Sequence, residues 1–141
     1  MKNDGKDAQD QFIEAMESTG RWVHRFRDKK DMMALNRGKR VGTFANPADY
    51  MCGEEGRYFL AEVKSSHNKT SFPYGNMEPA QKAAAAHAAS RGSPFYFFIL
   101  DMNTQQWYVL SALEFVNDMK AGKKSRSYKE LTPCSLTSWS I

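Results

Sequence analysis

The sequence predicts an α/β (α+β) fold in which a central mixed β-sheet is flanked by helices. The predicted order of elements is helix, strand, hairpin, helix, strand, strand, helix. Residues 95–100 form a nearly continuous apolar run, which is typical of a strand covered on both faces. The alanine-rich residues 80–90 predict a helix that stops at Gly92 and can lie close to a sheet. The chain of 141 residues corresponds to one domain, residues 1–141, large enough to bury a core without disulfides or structural metal.

The first half of the chain predicts a helix, a strand and a hairpin. Apolar residues at three- and four-residue steps indicate a helix over residues 7–19. A short strand is predicted at 21–27. Residues 49–51 and 57–63 flank the turn-like residues 52–56, and this pattern predicts a β-hairpin with a five-residue connection.

The second half predicts two helices with a pair of strands between them. A polar loop over 64–76 leads to Glu78-Pro79, and proline suits the first turn of the helix at 80–90. The strand at 95–100 turns into a second strand at 106–110. Ser111 and Glu114 form a capping-box pattern, which predicts a helix ending near Gly122.

Charge is unevenly distributed along the chain. The formal net charge of +4 is too mild to identify a partner. Residues 21–40 nevertheless hold eight Lys or Arg against two Asp, whereas residues 1–19 hold two Lys against five Asp or Glu. A basic C-terminal tail, about residues 120–141, adds a second cationic region. This pattern favours an anionic partner such as nucleic acid.

Several classes of protein are disfavoured by the sequence. Cys52 and Cys134 are far apart, so neither a zinc knuckle nor a disulfide framework is indicated. The N-terminal residues lack the apolar stretch of a signal peptide, and no apolar run is long enough for a membrane span. We therefore expect a cytoplasmic protein.

One group of residues predicts chemistry: Asp49, and the sequence Glu62-Val63-Lys64. Strand alternation places Glu62 and Lys64 on the same side of a sheet, and the hairpin returns them beside Asp49. Two carboxylates suit a hard divalent cation such as Mg²⁺, and an adjacent ammonium can stabilise a phosphodiester undergoing hydrolysis. The alternative is a surface salt bridge between Glu62 and Lys64 on an exposed sheet face.

The surrounding sequence resembles a known family. Asp49 with Glu62-Val63-Lys64 resembles the core of the PD-(D/E)XK nuclease superfamily. The neighbouring residues are similar to the Holliday-junction resolvase RecU family and related phage resolvases. The motifs that carry this similarity, which covers about residues 48–110, are Ala48-Asp49-Tyr50, Gly56-Arg57-Tyr58, Ala61-Glu62-Val63-Lys64 and Asn68-Lys69-Thr70-Ser71-Phe72-Pro73.

The resemblance implies a homodimeric endonuclease that depends on Mg²⁺, with Mn²⁺ as a substitute, and cuts four-way DNA junctions by paired nicks. It implies that Asp49 and Glu62 are metal ligands, that the Val63 carbonyl is a further ligand, and that Lys64 is the catalytic lysine. Gln81 matches a glutamine near the family's active centre; the alternative is an exposed helical residue. The competing functions are cleavage of other branched or duplex DNA, and non-catalytic binding of nucleic acid.

The resemblance also suggests residues that contact DNA. Lys69, Thr70 and Ser71 carry the ammonium, hydroxyl and loop N–H groups that contact phosphates, although an ordinary turn is the alternative. The family's longer stalk is replaced here by a basic loop at about 28–47, either a DNA contact or a solvated loop. Its candidate contacts are Arg37, Lys39 and Arg40. Four aromatic residues are candidates either for base stacking or for core packing: Trp22, Tyr50, Phe72 and Tyr74.

Helix one departs from the family pattern, which has a metal-binding Glu four residues after a glycine. Counting from Gly5, this chain has Gln9, whose amide oxygen contributes no charge. Either metal affinity is weaker, or Asp10 or Glu14 substitutes, or the register differs.

Overall fold

The computed structural model describes residues 4–26 and 48–141. Its helices and strands, numbered in chain order, are α1 Asp4–Ser18, β1 Trp22–Arg25, β2 Tyr50–Glu54, β3 Arg57–Ser66, β4 Ser71–Pro73, α2 Pro79–Arg91, β5 Phe95–Asp101, β6 Gln106–Ser111, α3 Ala112–Lys120, β7 Ser125–Ser127 and β8 Thr132–Cys134. A short 3₁₀ turn, Tyr74–Asn76, precedes α2.

A six-stranded sheet in the order β1-β2-β3-β5-β6-β8 forms the centre of the described structure. β3 and β5 are parallel and are connected through α2, whereas the other neighbouring pairs are antiparallel. β4 and β7 form a separate two-stranded sheet. The predicted mixed sheet with flanking helices is confirmed.

The core consists of two apolar layers, one on each face of the sheet. On the first face, Phe12 of α1 packs against Phe98, with ring centroids 5.0 Å apart. On the second face, Phe115 of α3 packs against Phe97 at 5.3 Å. β5 therefore contributes alternate rings to both layers, which explains its continuous apolar sequence.

The hairpin between β2 and β3 is tighter than the predicted five-residue connection. Only Glu55 and Gly56 lie between the strands, with φ angles of 46° and 80°. Two successive positive φ angles are typical of a type I′ turn, whose twist matches that of the strands it joins. The pairing therefore extends to Glu54 and Arg57.

The predicted polar loop at 64–76 is also partly wrong. β3 continues to Ser66, and residues 71–73 form β4, which pairs with β7 in the basic tail. These two three-residue strands pair with each other across more than fifty residues of chain, so the local sequence pattern does not reveal them.

The helix ends agree with the sequence signals. Ser111 and Glu114 form the predicted capping box, with the Glu114 N–H donating to Ser111 Oγ at 3.1 Å. Gly92 ends α2 with a φ of 69°, a left-handed conformation that glycine adopts without strain. Across the described ranges, no helix is both long and apolar enough to cross a membrane.

Candidate active site

The carboxylates of Asp49 and Glu62 meet where β2 begins beside the middle of β3. The Asp49 backbone N–H donates to Glu62 Oε2 at 3.0 Å, and the Val63 N–H donates to Asp49 Oδ2 at 3.0 Å. The antiparallel register, with Tyr50 opposite Ala61, produces this arrangement by placing Asp49 next to Glu62. The structure thus brings together the two residues that the sequence selected.

Lys64 lies on the same side of β3 as Glu62. Its Nζ is 3.6 Å from Glu62 Oε1, and the two side chains are 17% and 2% exposed, respectively. Because the Glu62 carboxylate is almost fully buried, this contact is not the exposed surface salt bridge that was the alternative. Lys64 retains enough exposure to face a bound substrate.

Gln81 connects the first turn of α2 to the carboxylates. Its Nε2 donates to Glu62 Oε1 at 2.7 Å, and its Oε1 accepts the Glu78 N–H at 3.0 Å. The second contact belongs to a capping box at the N-terminus of α2. Gln81 therefore holds the Glu62 carboxylate in orientation and is not an exposed helical residue.

Burial dominates the electrostatics of this site. It raises the pKa of Glu62 to about 8, with the Asp49 charge contributing in the same direction and Lys64 opposing it. Burial also raises the pKa of Asp49, against the N–H of Val63 and the positive charges of Lys64 and Arg25. Two buried carboxyl groups with raised pKa values favour a bound proton or a bound cation.

The donor set fits a hard divalent cation. Asp49 and Glu62 supply two carboxylates, and Mg²⁺ is usually held by one or two carboxylates together with water and substrate phosphates. The N–H and C=O of one residue in an extended strand point to the same side, so the Val63 carbonyl points towards Asp49. No cluster of three or more potential Asp, Glu, His or Cys ligands occurs within residues 4–26 and 48–141.

The three helix-one candidates line two different cavities. Gln9 and Asp10 line a cavity of about 480 Å³ together with Arg25 and Tyr50, the residue after Asp49. Asp10 is exposed and forms an ion pair with Lys6 at 3.8 Å. Glu14 instead lines a separate cavity beside β6 and β8. Gln9 and Asp10 are therefore the α1 candidates on the Tyr50 side, and Glu14 faces elsewhere.

Arg25 is a residue that the sequence interpretation missed. It pairs with Tyr50 across β1 and β2, and its positive charge lowers the pKa of the Asp49 carboxyl against the effect of burial. Cross-strand register could have identified it only once the pairing of β1 with β2 was known.

The loop between β3 and β4 leaves Lys69 and Thr70 exposed, and Ser71 is half-buried in β4. Asn103 Nδ2 donates to the His67 carbonyl at 2.7 Å, and the Tyr128 N–H donates to the Thr70 carbonyl at 3.0 Å. Distant segments thus hold the loop in place. The other predicted DNA contacts, Arg37, Lys39 and Arg40, lie outside the described residues.

The aromatic candidates for base stacking separate into two groups. Tyr50, Phe72 and Tyr74 are at most 2% exposed because they pack in the two core layers, and base stacking by them is therefore wrong. Trp22 is 53% exposed, and Tyr58, which the sequence interpretation did not consider for stacking, is 61% exposed.

Comparison with solved structures supports the fold. The structure is similar to the Holliday junction resolvase Hjc of Archaeoglobus fulgidus with a TM-score of 0.52 and 14% sequence identity. The match covers 77% of this chain and 78% of that chain.

Comparison of sequences supports the predicted resemblance. The chain is 32% identical over 89 residues to the Holliday junction resolvase RecU of Leuconostoc mesenteroides subsp. mesenteroides. The match covers 62% of this chain and 44% of that protein, so the chain spans less than half the length of this curated relative. No family model matches the chain. The similarity confirms the resemblance to RecU that the motifs at 48–73 predicted.

Proposed function

We propose that this chain is a divalent-cation-dependent DNA endonuclease that resolves Holliday junctions by paired phosphodiester hydrolysis. The buried Asp49–Glu62 pair, with Lys64 and Gln81 against it, is the observation that carries the proposal. The two similar proteins, RecU and Hjc, are both Holliday junction resolvases, which supports four-way junctions as the substrate. In this proposal, residues 1–141 act as one nuclease domain in DNA recombination and repair, in a bacterial or phage-infected cytoplasm.

The carboxylates of Asp49 and Glu62 and the Val63 carbonyl would hold the cation, with Mg²⁺ favoured and Mn²⁺ as a substitute. A cation bound there would lower the pKa of a water molecule bound to it and would compensate negative charge on the phosphate. Gln81 keeps one Glu62 oxygen oriented through its hydrogen bond, and the Val63 N–H does the same for Asp49. The ligands are therefore preorganised by the backbone and by α2.

Lys64 is the proposed catalytic lysine. Its ammonium lies 3.6 Å from Glu62 and is partly exposed, so it can also contact a phosphate oxygen or a water. Hydrolysis breaks one phosphorus–oxygen bond as the oxygen of water forms another. A fixed ammonium beside the phosphorus stabilises the additional negative charge of the transition state.

A homodimer follows from the proposed substrate. Resolution of a four-way junction requires matched cuts on two strands, and a two-fold symmetric dimer supplies two identical sites. Lys69, Thr70 and Ser71 are the proposed phosphate contacts within the described residues, and Arg37, Lys39 and Arg40 are the proposed contacts within 28–47.

The test compares Mg²⁺-dependent cleavage of a four-way junction, a fork and a plain duplex of the same sequence. We expect the junction to be cut fastest, and equal rates on all three substrates would refute the resolvase assignment. Asp49→Asn and Glu62→Gln should reduce cleavage by about 100-fold or more, since a catalytic cation contributes several kcal/mol. Glu55→Gln changes an exposed carboxylate in the β2–β3 turn and is the matched control.

Gln9 supports the competing function, a non-catalytic nucleic-acid-binding module. The resemblance implies a carboxylate at this position of α1, whereas Gln9 is a neutral amide that supplies no charge for a cation. Binding of junctions without cleavage in Mg²⁺ or Mn²⁺ would favour this module over the nuclease.

A further inference from the structure

Four neighbouring rings form a row on the β1 side of the sheet: Trp22, His24, Phe26 and Tyr58, here called the aromatic row. Trp22 stacks on His24 with centroids 5.9 Å apart, and His24 meets Phe26 edge-on at 5.4 Å. Tyr58 meets Trp22 edge-on at 6.3 Å. Each ring therefore contacts at least one other, and the row is continuous.

The aromatic row shares a sheet face with the candidate active site. Trp22 is opposite Gly53, and Gly53 is opposite Tyr58. Residues two apart on a strand share a face, so Tyr58 lies on the face of Glu62. Phe26, at the other end of the row, donates its N–H to the Asp49 carbonyl at 2.9 Å. One end of the aromatic row is thus hydrogen-bonded to the backbone of Asp49, a residue of the candidate active site.

Gly53 leaves room for the Tyr58 ring to lie close to the sheet beside Trp22. A Cβ at this position would be 3.1 Å from the Tyr58 ring and 3.6 Å from Trp22 Cβ. Trp22 is 53% exposed and Tyr58 is 61% exposed, so folding leaves much of their apolar surface in water.

We infer that the aromatic row binds unpaired bases of the DNA strand next to the cut, an inference that rests on the proposed function. Every base has a π face, and exposed rings in sequence form a stacking platform for a single strand. Arg21, the cation beside Trp22 in the chain, is already paired with Glu54 at 3.0 Å. Arg25, the other cation of β1, follows His24 directly and so lies on the opposite face of the strand, and the row therefore offers ring faces to bases rather than a cation to phosphates.

A second copy of this chain fits the aromatic row less well. A stable protein interface buries about 800 Å² on each partner. An aromatic side chain offers about 150–250 Å² when fully exposed, and the two most prominent rings, Trp22 and Tyr58, are only 53% and 61% exposed, so the row by itself falls short of that area. A strand of bases, in contrast, needs only the ring faces.

The length of the row sets the number of bases. Four residue steps from Trp22 to Phe26 at about 3.3 Å each span about 13 Å. Successive phosphates of a duplex strand are about 3.4 Å apart along the helix axis, and an unpaired strand is more extended, so the row spans at most about four nucleotides. The bases bound should therefore lie within about four nucleotides of the cut.

The test measures binding without cleavage, in Ca²⁺ or EDTA, by anisotropy and by the fluorescence of 2-aminopurine. The probe is placed one to four nucleotides from the mapped cut in a four-way junction, and also in a single strand. We expect Trp22→Ala and Tyr58→Ala each to weaken binding of both DNAs by about 5- to 150-fold and to abolish the fluorescence change. Trp22→Phe should retain most binding, and the control Leu113→Ala, an exposed residue of α3, should bind as wild type.

Several results would overturn the inference. If both alanine variants bind DNA as well as the wild type, the aromatic row does not bind bases. The proposed function then still stands if the wild type cuts junctions. Conversion of a wild-type dimer to a monomer by Trp22→Ala, seen in sedimentation, would assign the row to self-association. A fall in Tm as large as that of Phe98→Ala would assign it to internal packing. Failure of the wild type to bind any DNA would refute both the row's role and the proposed function.

Discussion

Replacement of Glu62 by glutamine should change how the stability of the metal-free protein depends on pH. The folded protein holds the pKa of Glu62 at about 8, against an ordinary value of 4.5, because the carboxyl is buried beside Asp49. Between these values the folded state binds a proton that the unfolded chain releases. The stabilising contribution of this proton is therefore complete below the unfolded pKa and is lost as pH rises through the folded pKa.

The expected size follows from linkage. One bound proton corresponds to about 1.4 kcal/mol per pH unit, and the slope flattens as the pH approaches the folded pKa. The wild type should therefore lose about 2 kcal/mol of unfolding free energy relative to Glu62→Gln between pH 6 and pH 8. Asp49, whose pKa is also raised, is present in both proteins and is not counted in this difference.

Urea unfolding in EDTA at pH 6, 7 and 8 measures this difference. The other titratable groups are common to both proteins, so their contributions cancel in the comparison. Addition of Mg²⁺ at pH 8 should stabilise the wild type and leave Glu62→Gln unchanged, because a cation that binds only the folded state stabilises it. Parallel pH profiles for the two proteins would refute the buried, proton-binding carboxyl, and Glu55→Gln should follow the wild type.

Three further predictions concern the chemistry and the DNA. Lys64→Met should lower the cleavage rate by about 10²–10³-fold while junction affinity stays within a few fold; unchanged cleavage would remove Lys64 from catalysis. Gln9→Glu should lower the Mg²⁺ concentration needed for half-maximal cleavage, whereas Glu14→Gln, in a different cavity, should not change it. Neutralising three cations of the basic loop should weaken junction binding. The slope of log binding constant against log salt concentration should become shallower by up to about 3, and an unchanged slope would exclude contact of these cations with phosphates. These cations are Arg37, Lys39 and Arg40.

The sequence by itself determined the main elements and the meeting of the two carboxylates. The apolar run of β5, the capping box at Ser111 and the stop at Gly92 are local signals, and each is found in the structure. Antiparallel return in a hairpin is also local, so proximity of Asp49 and Glu62 could be predicted from strand alternation.

Only the tertiary structure decided the environment of these groups. The burial that raises the pKa of Glu62 depends on neighbouring elements, and one of them, α2, places Gln81 against the Glu62 carboxylate. Packing of α1 against the sheet placed Gln9 on the Tyr50 side and Glu14 elsewhere. The pairing of β1 with β2 made Trp22 an exposed ring beside Gly53. Periodicity reports which face of an element is apolar, but solvent exposure and proton affinity depend on which distant segments cover that face.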